Sequence, residues 1–377
     1  MPDHALNAEH GIVCRLPPDQ RFSYFGWPTV ARLDDGTLVV GSSGLRSAHV
    51  CPFGKTVLNV STDNGTTWSA PRVIQTSMID NRDGGLTCLG GRKLLASWFR
   101  SDTRIYLSET WLPDAERQSW REVFATWDDA QVQELIGSWT MLSEDGGETW
   151  GAPVKAPVSA PHGPIRLRSG DLLYLGKPFA TWTEMKDAPI AAARSTDAGR
   201  TWQTLGQVPL HPRTVGGNYH EPHVVELPSG RLIGAIRAEN SGDVDLERDA
   251  GVRGGMSIMM TDSDDGGRTW SAPRPLHFHG GPPHLLRHAS GVLILTYGYR
   301  RKPCGQRVAF SRDDGRTWEH DWIIRDDGPD GDLGYPSTVE LADGSLFTVC
   351  YQKAAAGEKC SLLWSRWKLP PHTGAAR

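Results

Sequence analysis

No uninterrupted apolar run in this 377-residue chain reaches the roughly 18 residues that a helix needs to cross a bilayer, so no membrane partner is expected. The opening stretch, MPDHALNAEHGIVCRLPPDQ, lacks the positive segment and apolar segment of a secretory leader. Basic blocks are missing too. Forty Lys and Arg face 44 Asp and Glu, a net charge of -4, and nothing in the chain would track a phosphate backbone, which excludes nucleic acid as a partner. Cysteine is sparse and scattered (Cys14, Cys51, Cys88, Cys304, Cys350, Cys360), with no C-x-x-C pair and no zinc-ligand spacing. The thiols therefore read as reduced and the protein as cytoplasmic, and no metal or other cofactor is expected.

Turn residues and tryptophan, in contrast, are plentiful: 42 Gly and 26 Pro punctuate the chain, and 15 Trp exceed what a helical protein needs. Short strands joined by turns account for both. The pattern S-x-D-x-G-x-T-W occurs five times, as STDNGTTW from Ser61, SEDGGETW from Ser143, STDAGRTW from Ser195, SDDGGRTW from Ser263 and SRDDGRTW from Ser311. Its logic is that of a hairpin turn. The Asp carboxylate accepts N–H groups across the turn, Gly supplies positive φ and Trp packs at the sheet margin. Asp63, Asp145, Asp197, Asp265 and Asp313 are accordingly structural.

A second pattern, an apolar strand, a Gly turn and another apolar strand, occurs six times: from Trp27, Asp83, His162, Glu221, His284 and Tyr335. Six such hairpins, each continued by a third strand and a short fourth one, predict an all-β, six-bladed β-propeller of four-stranded antiparallel blades, a single domain over about residues 20–367. SLLWSRWKL supplies an outer strand for the last blade in this reading. The turn glycines Gly36, Gly91, Gly170, Gly230, Gly291 and Gly344 are 55, 79, 60, 61 and 53 residues apart, so the second interval holds an insertion, at about residues 101–135. It reads as a long hairpin or a helix-containing flap, placed either over a pocket or on an outer edge.

Each hairpin begins and ends on one face, which gathers Trp27, Asp83, His162, Glu221, His284 and Tyr335 near the axis with the strand ends Arg46, Arg100, Lys177, Arg237, Arg300 and Gln352. Third-strand starts add Lys55 and Arg307. Acids, histidines, a tyrosine and several cations converge there, which suits an anionic ligand. His49, His162, His220, His223 and His284 show no fixed metal-ligand spacing.

Five such boxes on six hairpins resemble the sialidase (neuraminidase) superfamily over essentially residues 20–367. EPHVVELPSGRLIGAIR resembles the segment carrying that family's catalytic Glu and one Arg of its carboxylate-binding triad, which implies those roles for Glu221 and Arg237. CGQRVAFSRDDGRTW resembles the segment with another triad Arg, here Arg307, and Tyr335 in GYPSTVELADG stands where the family has its nucleophilic Tyr. The resemblance implies an exo-glycoside hydrolase acting on a terminal, anionic sugar of an oligosaccharide or glycoside. Tyr335 would attack, Glu221 would take its proton, and the guanidiniums would hold a carboxylate.

The sequence departs from the family at two places. FGWP puts Gly26 and Trp27 where the first triad Arg belongs, and LRSAHVCPFGK has no acid where the general acid is expected. His49 is the substitute proton donor in that loop, with Arg46 or Lys55 restoring the positive charge. Asp83, His162, His284 and Trp27 complete the expected substrate contacts. Two other readings stay open: a uronate lyase using His49 and Tyr335 as base and acid, and a non-catalytic glycan-binding propeller with Trp27 as platform. The oligomeric state is not indicated.

Overall fold

The computed structural model describes residues 4–179, 187–242, 244–250 and 255–371. Six antiparallel sheets surround one axis. Blade one consists of Tyr24–Arg32, Leu38–Arg46, Lys55–Ser61 and Arg72–Gln75, and blade two of Asp80–Gly90, Lys93–Ser101, Gly137–Ser143 and Val154–Ala156. In blade three the inner strand is split into Val158–Ser159 and Ile165–Arg166, followed by Leu172–Pro178, Ala191–Ser195 and Gln203–Gln207. Blade four runs Tyr219–Glu226, Leu232–Glu239, Met256–Ser263 and Arg274–His279. Blade five runs Pro283–Arg287, Leu293–Tyr299, Cys304–Ser311 and Glu319–Gly328.

The last blade corrects the sequence reading. Gly334–Glu340, Leu346–Lys353 and Cys360–Trp367 are its first three strands, and its outermost strand is Ala8–Cys14 from the other end of the chain, antiparallel to Cys360–Trp367. SLLWSRWKL is thus a third strand. The propeller starts at Ala8 rather than near residue 20, and its two ends are joined by a sheet ladder. Pairing across more than 340 residues leaves no local signature, which is why AEHGIVC does not announce itself as part of blade six.

The core lies between blades. Val39 and Leu58 of blade one meet Leu86, Leu94 and Ala96 of blade two, and Ile233 and Met260 of blade four meet Leu285 and Leu295 of blade five. Because every sheet is covered on both faces, second strands such as Leu38–Val40 read as continuous apolar runs instead of alternating ones.

All five S-x-D-x-G-x-T-W segments close the turn after a third strand. In the first, Asp63 accepts the Thr67 N–H at 2.9 Å, the Gly65 N–H donates to Ser61 Oγ at 2.9 Å and Trp68 Nε1 donates to the Gly65 carbonyl at 3.0 Å. Gly65 has φ +85° and a Cβ there would lie 2.4 Å from Phe347, so both backbone angle and packing demand glycine. The Thr67 hydroxyl and N–H hold the Asp63 carboxyl down at about 2.

The insertion is helical, with helices Asp114–Phe124 and Asp129–Leu135. Trp120 and Leu112 pack on Cys51 of the blade-one loop, with Tyr106 at the edge of this cluster. No described helix is long and apolar enough to cross a membrane, and all six cysteines are free thiols.

Candidate active site

Four inner strands carry the same irregularity at the same place. The ladder skips between Gly26 and Thr29, Arg82 and Gly85, His220 and His223, and Gly334 and Ser337. At each skip one non-glycine residue is left-handed: Trp27 at φ +53°, Asp83 at +67°, Glu221 at +48° and Tyr335 at +52°. Such a bulge turns a side chain out of the sheet's alternation toward the axis, at a cost of about 1–3 kcal/mol each. Trp27, Glu221 and Tyr335 each stand nine residues before their turn glycine, and the same count gives Pro161 in blade three and Pro282 in blade five. His284 is therefore not at the head of its strand. It lies two residues further in, level with His223.

Glu221 and Tyr335 meet across blades: the phenol hydroxyl donates a short hydrogen bond to Glu221 Oε1. Arg237 Nη1 lies 2.6 Å from Glu221 Oε2 and 3.4 Å from the Tyr335 oxygen, while its Nη2 donates to Glu239 at 2.6 Å. Burial alone would push the Glu221 carboxyl up, but the Arg237 charge and the Tyr335 hydroxyl outweigh it and hold it at about 2. Burial and the Glu221 charge keep the Tyr335 phenol well above its ordinary range.

Glu221 lines a pocket of about 270 Å³ with Asp83, Arg82, Lys177, His220 and Tyr106. Tyr106 comes from the insertion, which thus overhangs the pocket. Asp83 is 6% exposed. Burial and the neighbouring Glu221 charge raise its carboxyl to about 8, against the pull of Arg82 and Arg46, so it is protonated at neutral pH. One pocket therefore holds an ionised carboxylate and a carboxylic acid, the division of labour that acid–base catalysis requires. Burial also lowers Lys177, to about 8, and its Nζ donates to the Gly216 carbonyl at 3.1 Å.

The remaining expected residues take other places. Arg46 is fully buried, with Nη1 and Nη2 at 2.7 and 2.9 Å from the two Asp80 oxygens and its guanidinium 4.9 Å from the Trp27 ring centre. This is an internal ion pair, not a substrate contact. Replacing Arg46 with Ala strands the Asp80 charge and is expected to cost about 3–5 kcal/mol. Arg46→Met combined with Asp80→Leu should recover most of that loss, with urea midpoints as the readout. Lys55 lies off the axis, in a groove with Phe22, Phe53 and Val123. Arg307 donates to the carbonyls of Arg325 and Pro303 at 3.0 and 3.2 Å and stacks on Tyr299, so its own blade consumes it. Trp27, 1% exposed and packed against the Arg46 and Arg82 guanidiniums, offers no face to a sugar.

His49 is placed differently from a proton donor to the pocket. Its Nε2 accepts from Arg82 at 3.0 Å, because a guanidinium only donates, and its proton therefore sits on Nδ1, 2.9 Å from Asp332. Burial and Arg82 lower the ring's pKa against the opposing effect of Asp332. His162 and His284 lie beneath this pocket, in a second cavity.

Two residues, Arg82 and Asp332, are not among the expected site residues, and a third, Arg300, entered the sequence reading only as a strand end. Arg82 reaches the pocket while stacked 4.2 Å from the Trp27 ring, which brings a cation to the side of the pocket next to Trp27. Asp332 anchors His49. Arg300, at the same strand end in blade five as Arg237 in blade four, bonds the Leu333 carbonyl at 3.2 Å and favours the ionised form of Tyr335. Its position at a second-strand end was the available signal.

The model of the BNR repeat-like domain matches residues 125–348, more than half of the chain. The chain belongs to the BNR repeat-like family. No curated protein matches the sequence. Among solved structures, this BNR repeat-like propeller is similar to a protein of unknown function from Dyadobacter fermentans, at 21% identity and TM-score 0.74, covering 98% of this chain and 100% of that one. It is also similar to the Trypanosoma rangeli sialidase bound to the inhibitor DANA, at 15% identity and TM-score 0.62, over 96% of this chain but only 60% of that one. The α-L-arabinofuranosidase from Fusarium graminearum, bound to an iminosugar inhibitor, matches at 14% identity and TM-score 0.61, over 96% and 97%. At these identities the likeness is one of fold, and the fold is shared with glycosidases.

Proposed function

We propose that this protein is an exo-acting glycoside hydrolase that releases one terminal, anionic sugar from an oligosaccharide or glycoside. The observation that carries the reading is the meeting of two carboxyls, Glu221 and Asp83, on one small pocket, with the Tyr335 hydroxyl bonded to Glu221; the Arg237 charge favours the ionised form of Glu221, and burial beside that charge favours the protonated form of Asp83. A pocket of about 270 Å³ suits a single sugar unit, and Arg82 and Lys177 on its wall favour one that carries negative charge.

In the first step Glu221 takes the phenolic proton as the Tyr335 oxygen bonds to the anomeric carbon. Asp83 gives its proton to the departing glycosidic oxygen. In the second, the Asp83 carboxylate takes a proton from water as that water's oxygen bonds to the anomeric carbon; the bond to Tyr335 breaks and Glu221 returns the phenolic proton. The product keeps its anomeric configuration. One observation favours a second course: Glu221 lines the pocket, whereas Tyr335 lies behind it at 4% exposure. Glu221 would then activate a water directly and the configuration would invert. The lyase reading needs a free His49 base, and His49 Nε2 is engaged by Arg82.

The test is a panel of aryl glycosides of sialic acids, uronic acids and neutral sugars, with ultraviolet absorbance followed in parallel on uronate oligosaccharides. Aryl release from an anionic sugar is expected. Tyr335→Phe should then lower turnover at least about 100-fold if the phenol attacks, and only slightly if Glu221 drives water, with the configuration of the fresh product separating the two courses. Unsaturated product would replace the hydrolase reading with the lyase. Sugar binding without turnover on any substrate would replace it with a binding propeller.

A further inference from the structure

A second cavity, of about 490 Å³, runs along the axis and shares no lining residue with the catalytic pocket. Its mouth is formed where the inner strands run into their turns, at the end of the propeller away from Glu221. The residues four before the turn glycines are Arg32, Thr87, Arg166, Glu226, Arg287 and Glu340, so alternate blades contribute an arginine. None of Arg32, Arg166 and Arg287 forms an ion pair among the described residues, and the buried Nε atoms of Arg32 and Arg287 have no hydrogen-bond partner. The two carboxylates in the ring are already engaged, Glu226 by the Arg168 N–H at 2.6 Å and Glu340 by the Ala289 N–H at 2.8 Å.

The inner end of the cavity is a layer of three buried imidazoles. His223 and His284 stack at 4.3 Å with planes 20° apart, and His162 stands edge-on to them at 5.7 and 5.0 Å. His223 Nδ1 accepts the Leu285 N–H at 3.0 Å, and His284 Nδ1 the Thr338 N–H at 3.4 Å. A nitrogen that accepts carries no proton, so both rings are Nε2–H donors, and neither donor is used among the described residues. His162, 2% exposed, has an Nε2 with no partner either. Burial lowers all three pKa values, that of His223 to about 3, so the layer is neutral. Between rim and layer the walls are apolar, from Val30, Leu86, Val224, Leu285 and Val339.

We propose that this cavity is a second ligand site, for a small organic anion of sugar size whose carboxylate or phosphate is held by Arg32, Arg166 and Arg287 and whose oxygen-bearing opposite end accepts from His223 and His284. Guanidiniums without an ion pair at the mouth and Nε2–H donors at the floor offer an anion charge-assisted hydrogen bonds at one end and neutral ones at the other. The proposal is independent of the catalytic reading, since none of its residues touches the pocket of Glu221 and Asp83.

Titration calorimetry of the whole protein with glucuronate, glucose 6-phosphate and inorganic phosphate tests it. One of the two organic anions should bind saturably and at least tenfold more tightly than inorganic phosphate, and which one wins separates a carboxylate from a phosphate ligand. The double variant R166Q/R287Q, altered only at the cavity mouth, should lose at least tenfold in that affinity with its thermal midpoint in the absence of ligand unchanged. His284→Phe keeps the ring and removes the donor, and should weaken binding as well. Absence of saturable binding by either organic anion, or an affinity that R166Q/R287Q leaves unchanged, would overturn the proposal.

Discussion

Glu221→Gln is expected to lower kcat/KM on the best aryl glycoside by about 10³-fold or more, the scale of losing a general base together with the activation of its nucleophile. The amide is nearly the same size, and Arg237 keeps its 2.6 Å bond to Glu239, so the propeller should stay folded. What goes is the acceptor that takes the Tyr335 proton. Because Arg237 and the phenol hold Glu221 at about 2, the wild-type rate should show no acid limb in the ordinary carboxylate range, near pH 4–5. Aryl release measured from pH 3 to 9, with a thermal midpoint for each protein, checks both statements. Turnover within tenfold of wild type would remove Glu221 from the mechanism.

Asp83→Asn should show the opposite pairing of effects, a collapse of turnover together with a gain in stability. The ordinary carboxyl value is 3.8 and the folded value is about 8, so at neutral pH folding must keep a proton that the unfolded chain releases. The sign follows from that difference: the contribution of this group to stability is fully present below about pH 4 and is lost as pH rises to about 8. At pH 7 the penalty is about 4 kcal/mol, and Asn does not incur it. Relative to wild type, the variant should therefore become progressively more stable between pH 4 and 8, read from urea midpoints across that range. Turnover should fall by about 10²-fold or more where the leaving group needs protonation. In the wild type, activity should decline as pH passes about 8, and Asn should abolish that limb. A variant that is inactive and destabilised at pH 7 would identify Asp83 as a structural residue instead.

These two carboxyls show where sequence reading stops. Glu221 is visible in EPHVVELPSG because it stands at a countable distance from a turn glycine, but nothing in MIDNRDGG shows that Asp83 is an acid held protonated. That property arises from burial and from a charge on another blade. The same holds for the cations. Arg46, Arg82 and Arg307 look alike as strand-end arginines, yet Asp80 neutralises the first, Trp27 supports the second beside the pocket, and carbonyls of blade five consume the third. Likewise His49 sits in the expected loop, but Asp332 and Arg82, distant in sequence, fix its tautomer.

The propeller itself is legible in the amino-acid sequence alone. Asp–Thr and Ser–Gly hydrogen bonds within eight residues, positive φ at glycine and hairpins closed by short turns are local matters that the chain writes out in order. The axial position is legible the same way in blades one, four and six, where Trp27, Glu221 and Tyr335 stand nine residues before the turn glycine, but not in blades three and five, where His162 and His284 lie deeper along the strand path. That Ala8–Cys14 closes blade six, which charges neutralise one another and which carboxyl holds a proton come from contacts between distant segments. Each of these depends on distances and desolvation between segments remote in the chain, and electrostatic free energy is set by those distances and by burial, not by sequence spacing.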